Sequence, residues 1–260
     1  KPGIISFAGG FPDPALFDVE GIQEATQAVL TNSPGAVLQY GATEGYGPLR
    51  EAISAFMAAK GGAGQGAKVA PEGLIVTTGS QQALDLIGKT MISPGDKVIV
   101  EAPTFLATIQ CFRLYGAHLI GAPIDANGVD VDKLEALIAE HKPKLVYLIP
   151  TFGNPSGATL SLERRRRILE LAVRTRTLIV EDDPYGELYF DQPPPASILA
   201  LSDQVPGSRD WLAHCGSLSK VLSPGLRVGW LIAPSEMLAK ATMCKQFSDA
   251  HTSNLTQATA

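Results

Sequence analysis

The chain reads as an α/β domain built on a mainly parallel β-sheet, and three observations lead there. Strand-length apolar runs alternate with stretches of helical periodicity from residue 74 onward. Most of the runs are nearly continuous in Val, Ile and Leu, the composition of strands covered on both faces. Four of them lead directly into polar or small residues: Gly79-Ser80 after Leu74–Thr78, Asn154 after Lys144–Ile149, Asp182 after Thr177–Glu181, and Ser217 to Lys220 after Leu212–Cys215. Those groups therefore gather beyond the carboxyl ends of the strands, where ligands sit in such sheets.

Each element follows from its pattern. Residues 1–45 form an extended arm rich in Gly and Pro, with a short helix expected over Gly21–Leu30. Pro48–Lys60 has helical spacing, with Leu49, Ile53, Phe56 and Met57 on one side. Gly61–Gly66 reads as a turn, because no Gly-Lys-Ser/Thr follows to make it a phosphate loop. Besides the four runs above, strands are expected over Lys97–Glu101, His118–Ala122 and Val228–Ala233. Helices are expected over Gln81–Met91, Phe105–Leu114, Val131–His141 and Leu162–Thr175. The basic run Arg164–Arg167 falls on the last of these and reads as a solvated helix face.

Composition narrows the function. The 260 residues are 45% hydrophobic and 18% charged, which marks a globular chain able to bury a substantial core. A formal net charge of −5 argues against a nucleic-acid binder. No apolar run has membrane-spanning length, so no membrane partner is expected. Three widely spaced cysteines and four histidines show no metal-ligand spacing, so no metal is expected and a reducing, cytoplasmic setting fits.

Lys220 carries the most chemical information. It closes the run Gly216-Ser217-Leu218-Ser219-Lys220, and Pro224-Gly225-Leu226-Arg227 follows. A lysine at a strand end can form an imine with an aldehyde. Arg227 can clamp a phosphate as a fixed bidentate cation. Asp182 can keep a pyridine nitrogen protonated. Gly79-Ser80-Gln81 stands where a strand turns into a helix, an anion site made of backbone N–H groups, although Ser80 could equally be an ordinary helix cap. Together these groups describe a site for pyridoxal 5'-phosphate.

The chain also resembles the fold-type I pyridoxal-phosphate aminotransferases of class I/II, in particular the 2-aminoadipate and kynurenine types. The resemblance rests on Ala8-Gly9-Gly10-Phe11-Pro12, Gln39-Tyr40-Gly41, Gly45 to Arg50, Thr78 to Leu84, Asn154-Pro155-Ser156-Gly157, Asp182-Asp183-Pro184-Tyr185, and Ser217 to Arg227, in the family's order. It implies a three-layer, aspartate aminotransferase-like domain whose mainly parallel sheet has seven strands, one antiparallel. It further implies an arm and part of a small domain over 1–45, the large cofactor-binding domain over 46–250, and over 251–260 the start of a connection to a small C-terminal domain. That domain, with the arginine that binds the substrate α-carboxylate, is expected beyond residue 260.

By the same resemblance, Lys220 holds the cofactor and, once freed, moves a proton between substrate Cα and the cofactor. That role needs a neutral amine, and Arg227 with the cofactor cation should lower its pKa. Gly79, Ser80, Gln81, Ser217, Ser219 and Arg227 make the phosphate cup. Asp182 is chosen over Asp183 because it lies three residues before Tyr185; Asp183 better suits a turn cap. Asn154 and Tyr185 hydrogen-bond the phenolic oxygen, and Phe105 stacks on the ring. Tyr40 reaches the cofactor of the other subunit of a homodimer. Gly10, Tyr40 and Asn154 also meet the substrate. The activity implied is transfer of an amino group between an amino acid (2-aminoadipate, aromatic or branched-chain type) and a 2-oxo acid such as 2-oxoglutarate. A lyase on the same fold and the effector domain of an aminotransferase-like transcriptional regulator are the alternatives.

Overall fold

The computed structural model describes Gly3, residues 9–60 and residues 66–260. Ala8 of the first motif and residues 61–65 of the expected turn lie outside the described residues.

Strands β1 (Leu74–Thr77), β2 (Lys97–Ala102), β3 (His118–Asp125), β4 (Gly128–Val129), β5 (Leu145–Leu148), β6 (Leu178–Asp182), β7 (Leu212–Ser217) and β8 (Gly229–Ile232) form one sheet in the order β1-β8-β7-β6-β5-β2-β3-β4. β1, β2, β3, β5, β6 and β7 run the same way. β8 is antiparallel to both of its neighbours, and β4 is antiparallel to β3. Seven strands with one reversed were expected. The eighth is a two-residue ribbon after the turn at Asp125, too short for an apolar run to announce it.

Helices α1 (Val19–Asn32), α2 (Pro34–Val37), α3 (Gly47–Ala59), α4 (Ser80–Met91), α5 (Leu106–Leu114), α6 (Val131–His141), α7 (Leu162–Thr175), α8 (Ile198–Leu201), α9 (Ser235–Asp249) and α10 (Asn254–Thr259) accompany the sheet. Side chains alternate between the faces of a strand, and the core divides accordingly. Leu74, Val76, Ile99, Val146, Leu148, Ile179, Leu212 and Trp230 pack with Leu49, Ile53 and Met57 of α3, Leu134 of α6 and Ile168 of α7. Ile75, Val98, Val100, Leu145, Tyr147, Val180, Ala213 and Leu231 pack with Leu84 and Ile87 of α4, Phe112 of α5 and Met237 of α9. The sheet is thus the middle of three layers.

The run Arg164–Arg167 departs from the expected solvated face. Arg164 and Arg167 do pair at the surface, with Asp125 and Asp132. Arg165 is fully buried and donates to the carbonyls of Leu160, Pro150 and Ala196 and to Thr151 Oγ1. Consecutive residues on a helix point about 100° apart, so a run of four cannot share one face.

The two ends of the described fold meet. α10 packs on α1 and α2. Asn254 Nδ2 donates to the carbonyls of Ala36 and Gln39, and Gln257 Oε1 accepts from Tyr46 N at 2.7 Å. Residues 251–260, expected as the start of a connection, therefore fasten the arm to the domain.

Candidate active site

A cleft of about 350 Å³ opens at the carboxyl edge of the sheet. Of the residues singled out in the sequence, Gly10, Ser80, Gln81, Phe105, Asn154, Asp182, Tyr185, Ser217, Ser219, Lys220 and Arg227 line it. Gly79 stands directly behind Arg227. Tyr40 is the exception. It is 84% exposed, and its ring meets the edge of His251 rather than the cleft of its own chain.

Lys220 follows β7 and is half-buried. Its Nζ donates to the carbonyl of Gly10 at 2.7 Å, so the arm lies across the mouth of the cleft. Burial holds its pKa below the usual lysine range. The direction is the expected one, but the cause is desolvation rather than the charge of Arg227.

The anion cup has three walls. At the end of β1, Gly79 adopts φ 78°, a left-handed conformation that favours glycine, and occupies the N-cap position of α4. Ser80 is therefore the first helical residue, not the cap, and α4 points its N-terminus at the cleft. A Cβ on Gly79 would collide with Arg227 Nη2, so glycine leaves the space in which the guanidinium rests. Arg227 donates to the carbonyls of Thr78 and Pro224, at 3.2 and 3.3 Å. Ser217 completes the cup: its Oγ donates to Ser219 Oγ at 2.9 Å and accepts from Ser219 N at 3.0 Å.

Asp182 ends β6 and is 2% exposed. Oδ2 accepts from Tyr147 Oη at 2.6 Å, whereas Oδ1 is buried with no hydrogen-bond partner among the described residues. Burial pushes its carboxyl up to about 6, against the lowering effect of the Tyr147 bond. Asp183 points to the other face, where Oδ2 accepts from Lys60 Nζ at 2.8 Å and Oδ1 caps Gly186 N at 3.1 Å. The two adjacent carboxylates thus have different neighbours: one unsatisfied oxygen at the cleft, and one ion pair that fastens the turn carrying Tyr185. Asn154 Nδ2 donates to Tyr185 Oη at 3.2 Å, which brings that amide and hydroxyl together. Phe105 precedes α5 and rests partly on the core around Tyr147.

The sequence did not point to Tyr147, Lys60 or Glu101. Tyr147 lies inside the buried run Leu145–Leu148. Its signal was the hydroxyl itself, which needs a partner when buried. Glu101 is buried near the end of β2 and accepts from the N–H of Ile149, a cleft residue, at 2.8 Å. Burial pushes its carboxyl up to about 7.

The model for aminotransferase class I and II matches residues 7–260. The chain belongs to this family. A 2-aminoadipate transaminase of Thermus thermophilus is 43% identical over 259 residues, which are 99% of this chain and 62% of that protein. A Bacillus subtilis protein described as an uncharacterized HTH-type transcriptional regulator is 31% identical over 258 residues, 99% of this chain and 51% of that protein. Among solved structures, the alpha-aminoadipate aminotransferase LysN of Thermus thermophilus, complexed with N-(5'-phosphopyridoxyl)-L-leucine, has a TM-score of 0.90 and 40% identity. That match covers 99% of this chain and 63% of LysN. The chain thus spans less than two thirds of these proteins.

Among the described residues no three His, Cys, Asp or Glu side chains converge as metal ligands, and no helix is long and apolar enough to cross a membrane.

Proposed function

We propose that this chain provides the pyridoxal 5'-phosphate site of an aminotransferase. It would move an amino group between an amino acid of the 2-aminoadipate, aromatic or branched-chain type and a 2-oxo acid such as 2-oxoglutarate. The observation that carries the reading is the pairing of Lys220 with the unsatisfied Oδ1 of Asp182 in one cleft. A buried carboxylate oxygen without a donor is costly unless a ligand supplies one. A protonated pyridine nitrogen is such a donor. The phosphate of the same molecule suits the cup of Ser80, Ser217, Ser219, Arg227 and the N-terminus of α4.

When bound, the cofactor would supply an electron sink that loosens a proton on the substrate Cα. The residues of this chain do the rest. Lys220 Nζ, kept below its usual pKa by burial, takes and returns that proton. Asp182 holds the ring nitrogen protonated, and Tyr147 holds Asp182. Asn154 and Tyr185 donate toward the phenolic oxygen. Phe105 would pack against the ring, and Arg227 with the serines would anchor the phosphate.

The active unit in this reading is a homodimer. Phe11, Leu38, Tyr40 and Phe247 are each at least 69% exposed, large apolar side chains that a partner would cover. Tyr40 would then reach the neighbour's phosphate. A cytoplasmic setting fits the three free cysteines.

The Bacillus subtilis relative supports a second reading, as the effector domain of a transcriptional regulator. One experiment separates the two. The protein carrying this chain is incubated with pyridoxal 5'-phosphate, 2-oxoglutarate and single amino acids, and oxo-acid formation is followed. Turnover supports the aminotransferase; DNA binding without turnover supports the regulator.

A further inference from the structure

Lys245 is the fully buried lysine of α9, with a side-chain exposure of 0%, and nothing in the chemistry above uses it. Its polar surroundings are extensive. Nζ donates to both oxygens of Asp249, at 2.8 and 2.9 Å, to Gln82 Oε1 at 3.0 Å and to Thr252 Oγ1 at 3.1 Å. Each of these partners continues to the wall of the anion cup. Gln82 Oε1 also accepts from Thr78 N at 2.8 Å, and Gln82 Nε2 donates to Asp249 Oδ2 at 2.7 Å. Thr78 Oγ1 donates to Asp249 Oδ2 at 3.1 Å and lies 3.0 Å from Thr252 Oγ1. Thr78 is the residue whose carbonyl receives Arg227 Nη2, and the next two residues are Gly79 and Ser80.

Asp249 gives this network its electrostatic point. It lines a second, more open cavity of about 680 Å³ together with Thr78, Gln81 and Arg227. A carboxylate turned from there toward Arg227 would compete with a bound phosphate and add negative charge beside the anion site. Lys245 engages both of its oxygens. Burial alone would raise the Asp249 carboxyl, yet the bonds from Lys245, Gln82 and Thr78 keep it below the usual range.

We propose that Lys245 is a positioning residue for the phosphate cup: it holds Asp249 away from Arg227 and, through Gln82 and Thr252, fixes the Thr78-Gly79-Ser80 turn. The inference rests on the cofactor reading above. It makes a claim about the phosphate alone and not about the ring, and that is what the test uses.

Apo-protein is titrated with pyridoxal 5'-phosphate and, separately, with pyridoxal, which lacks the phosphate. Binding is read from tryptophan fluorescence. In Lys245→Met the affinity for pyridoxal 5'-phosphate should fall about tenfold or more while that for pyridoxal stays unchanged. Lys240→Met, which removes an exposed cation from the same helix, should alter neither. Lys245→Met combined with Asp249→Asn should regain most of the lost affinity, because the competing charge is gone. If Lys245→Met does not fold, Lys245→Gln keeps a polar head in the same space and should show the same phosphate-specific loss. Equal weakening for both ligands, no weakening at all, or no recovery in the double variant overturns the proposal. Failure of the cofactor reading looks different: the unaltered protein would then bind pyridoxal 5'-phosphate no more tightly than pyridoxal, and borohydride would not fix it to Lys220.

Discussion

Tyr147 donates its hydroxyl proton to Asp182 across two neighbouring parallel strands, and this bond occupies the carboxylate oxygen that does not serve the cleft. It also opposes the burial that raises the Asp182 pKa. Tyr147→Phe should therefore raise that pKa further. The acidic limb of the turnover-against-pH profile should move to higher pH, since a larger fraction of Asp182 stays protonated at any given pH. An unmoved limb would mean that Asp182 does not govern the reaction.

Asp182 and Asp183 should separate cleanly by substitution. Asp182→Asn is expected to retain the cofactor yet lose activity by on the order of 10²-fold, the usual scale for removing a preorganised charge from a reacting centre. Asp183→Asn leaves the Lys60 ammonium, whose side chain is 12% exposed, with Glu187 Oε1 at 3.8 Å as its remaining carboxylate. It should cost about 3 kcal/mol of stability, read from denaturant midpoints, and disturb Tyr185 only indirectly. The reverse outcome would assign the ring nitrogen to Asp183.

Lys220→Ala should abolish the covalent attachment of cofactor. Borohydride treatment followed by peptide mass mapping should place the added mass on Lys220 in the unaltered protein and nowhere in the variant. A labelled peptide in Lys220→Ala would defeat the assignment.

Glu101 predicts a pH dependence of folding in the absence of cofactor. Its folded-state pKa, about 7, lies above the ordinary glutamate value, so the folded form holds a proton that the unfolded form has released. This contribution to stability is complete below the unfolded pKa and is lost as pH rises through about 7. Glu101→Gln should flatten that part of the melting-temperature profile; an unchanged slope would exclude Glu101 as its source.

For Tyr40, light scattering should report a dimer. Tyr40→Phe should weaken cofactor binding without dissociating the dimer, because only a hydroxyl is lost from the neighbour's cup. A monomer that binds cofactor as tightly as the unaltered protein would remove Tyr40 from the site.

Much of this architecture was legible in the residues. Val131–His141 and Leu162–Thr175 form helices with the expected bounds, because their apolar residues recur cleanly and Asp130 and Ser161 cap them. α9 carries no such signal, because its buried stripe reads Met237, Leu238, Ala241, Lys245, and a lysine breaks the apolar period. Most of the cleft residues were readable because they follow a strand; Gly10 in the arm and Arg227 ahead of β8 rested on the motifs of the resemblance. Lys60 and Tyr147 act through side chains distant in sequence, and Lys245 reaches Gln82 as well as its helix neighbour Asp249; no local pattern marks such distant partners. The same holds for Arg165, which looks like its surface neighbours until the helix is wound.

β6 separates Asp182 from Asp183 by nothing more than the alternation of a strand. One side chain faces the cleft, and the next faces Lys60. What selects the working carboxylate is therefore parity: the odd or even count of residues from the strand's first residue, Leu178. A one-residue deletion between Leu178 and Glu181 would bring Asp183 to the cleft position and turn Asp182 to the opposite face, in the place of Glu181, while leaving the motif Asp-Asp-Pro-Tyr intact to the eye. Any transplant of this motif into another sheet would have to preserve that count, not merely the letters.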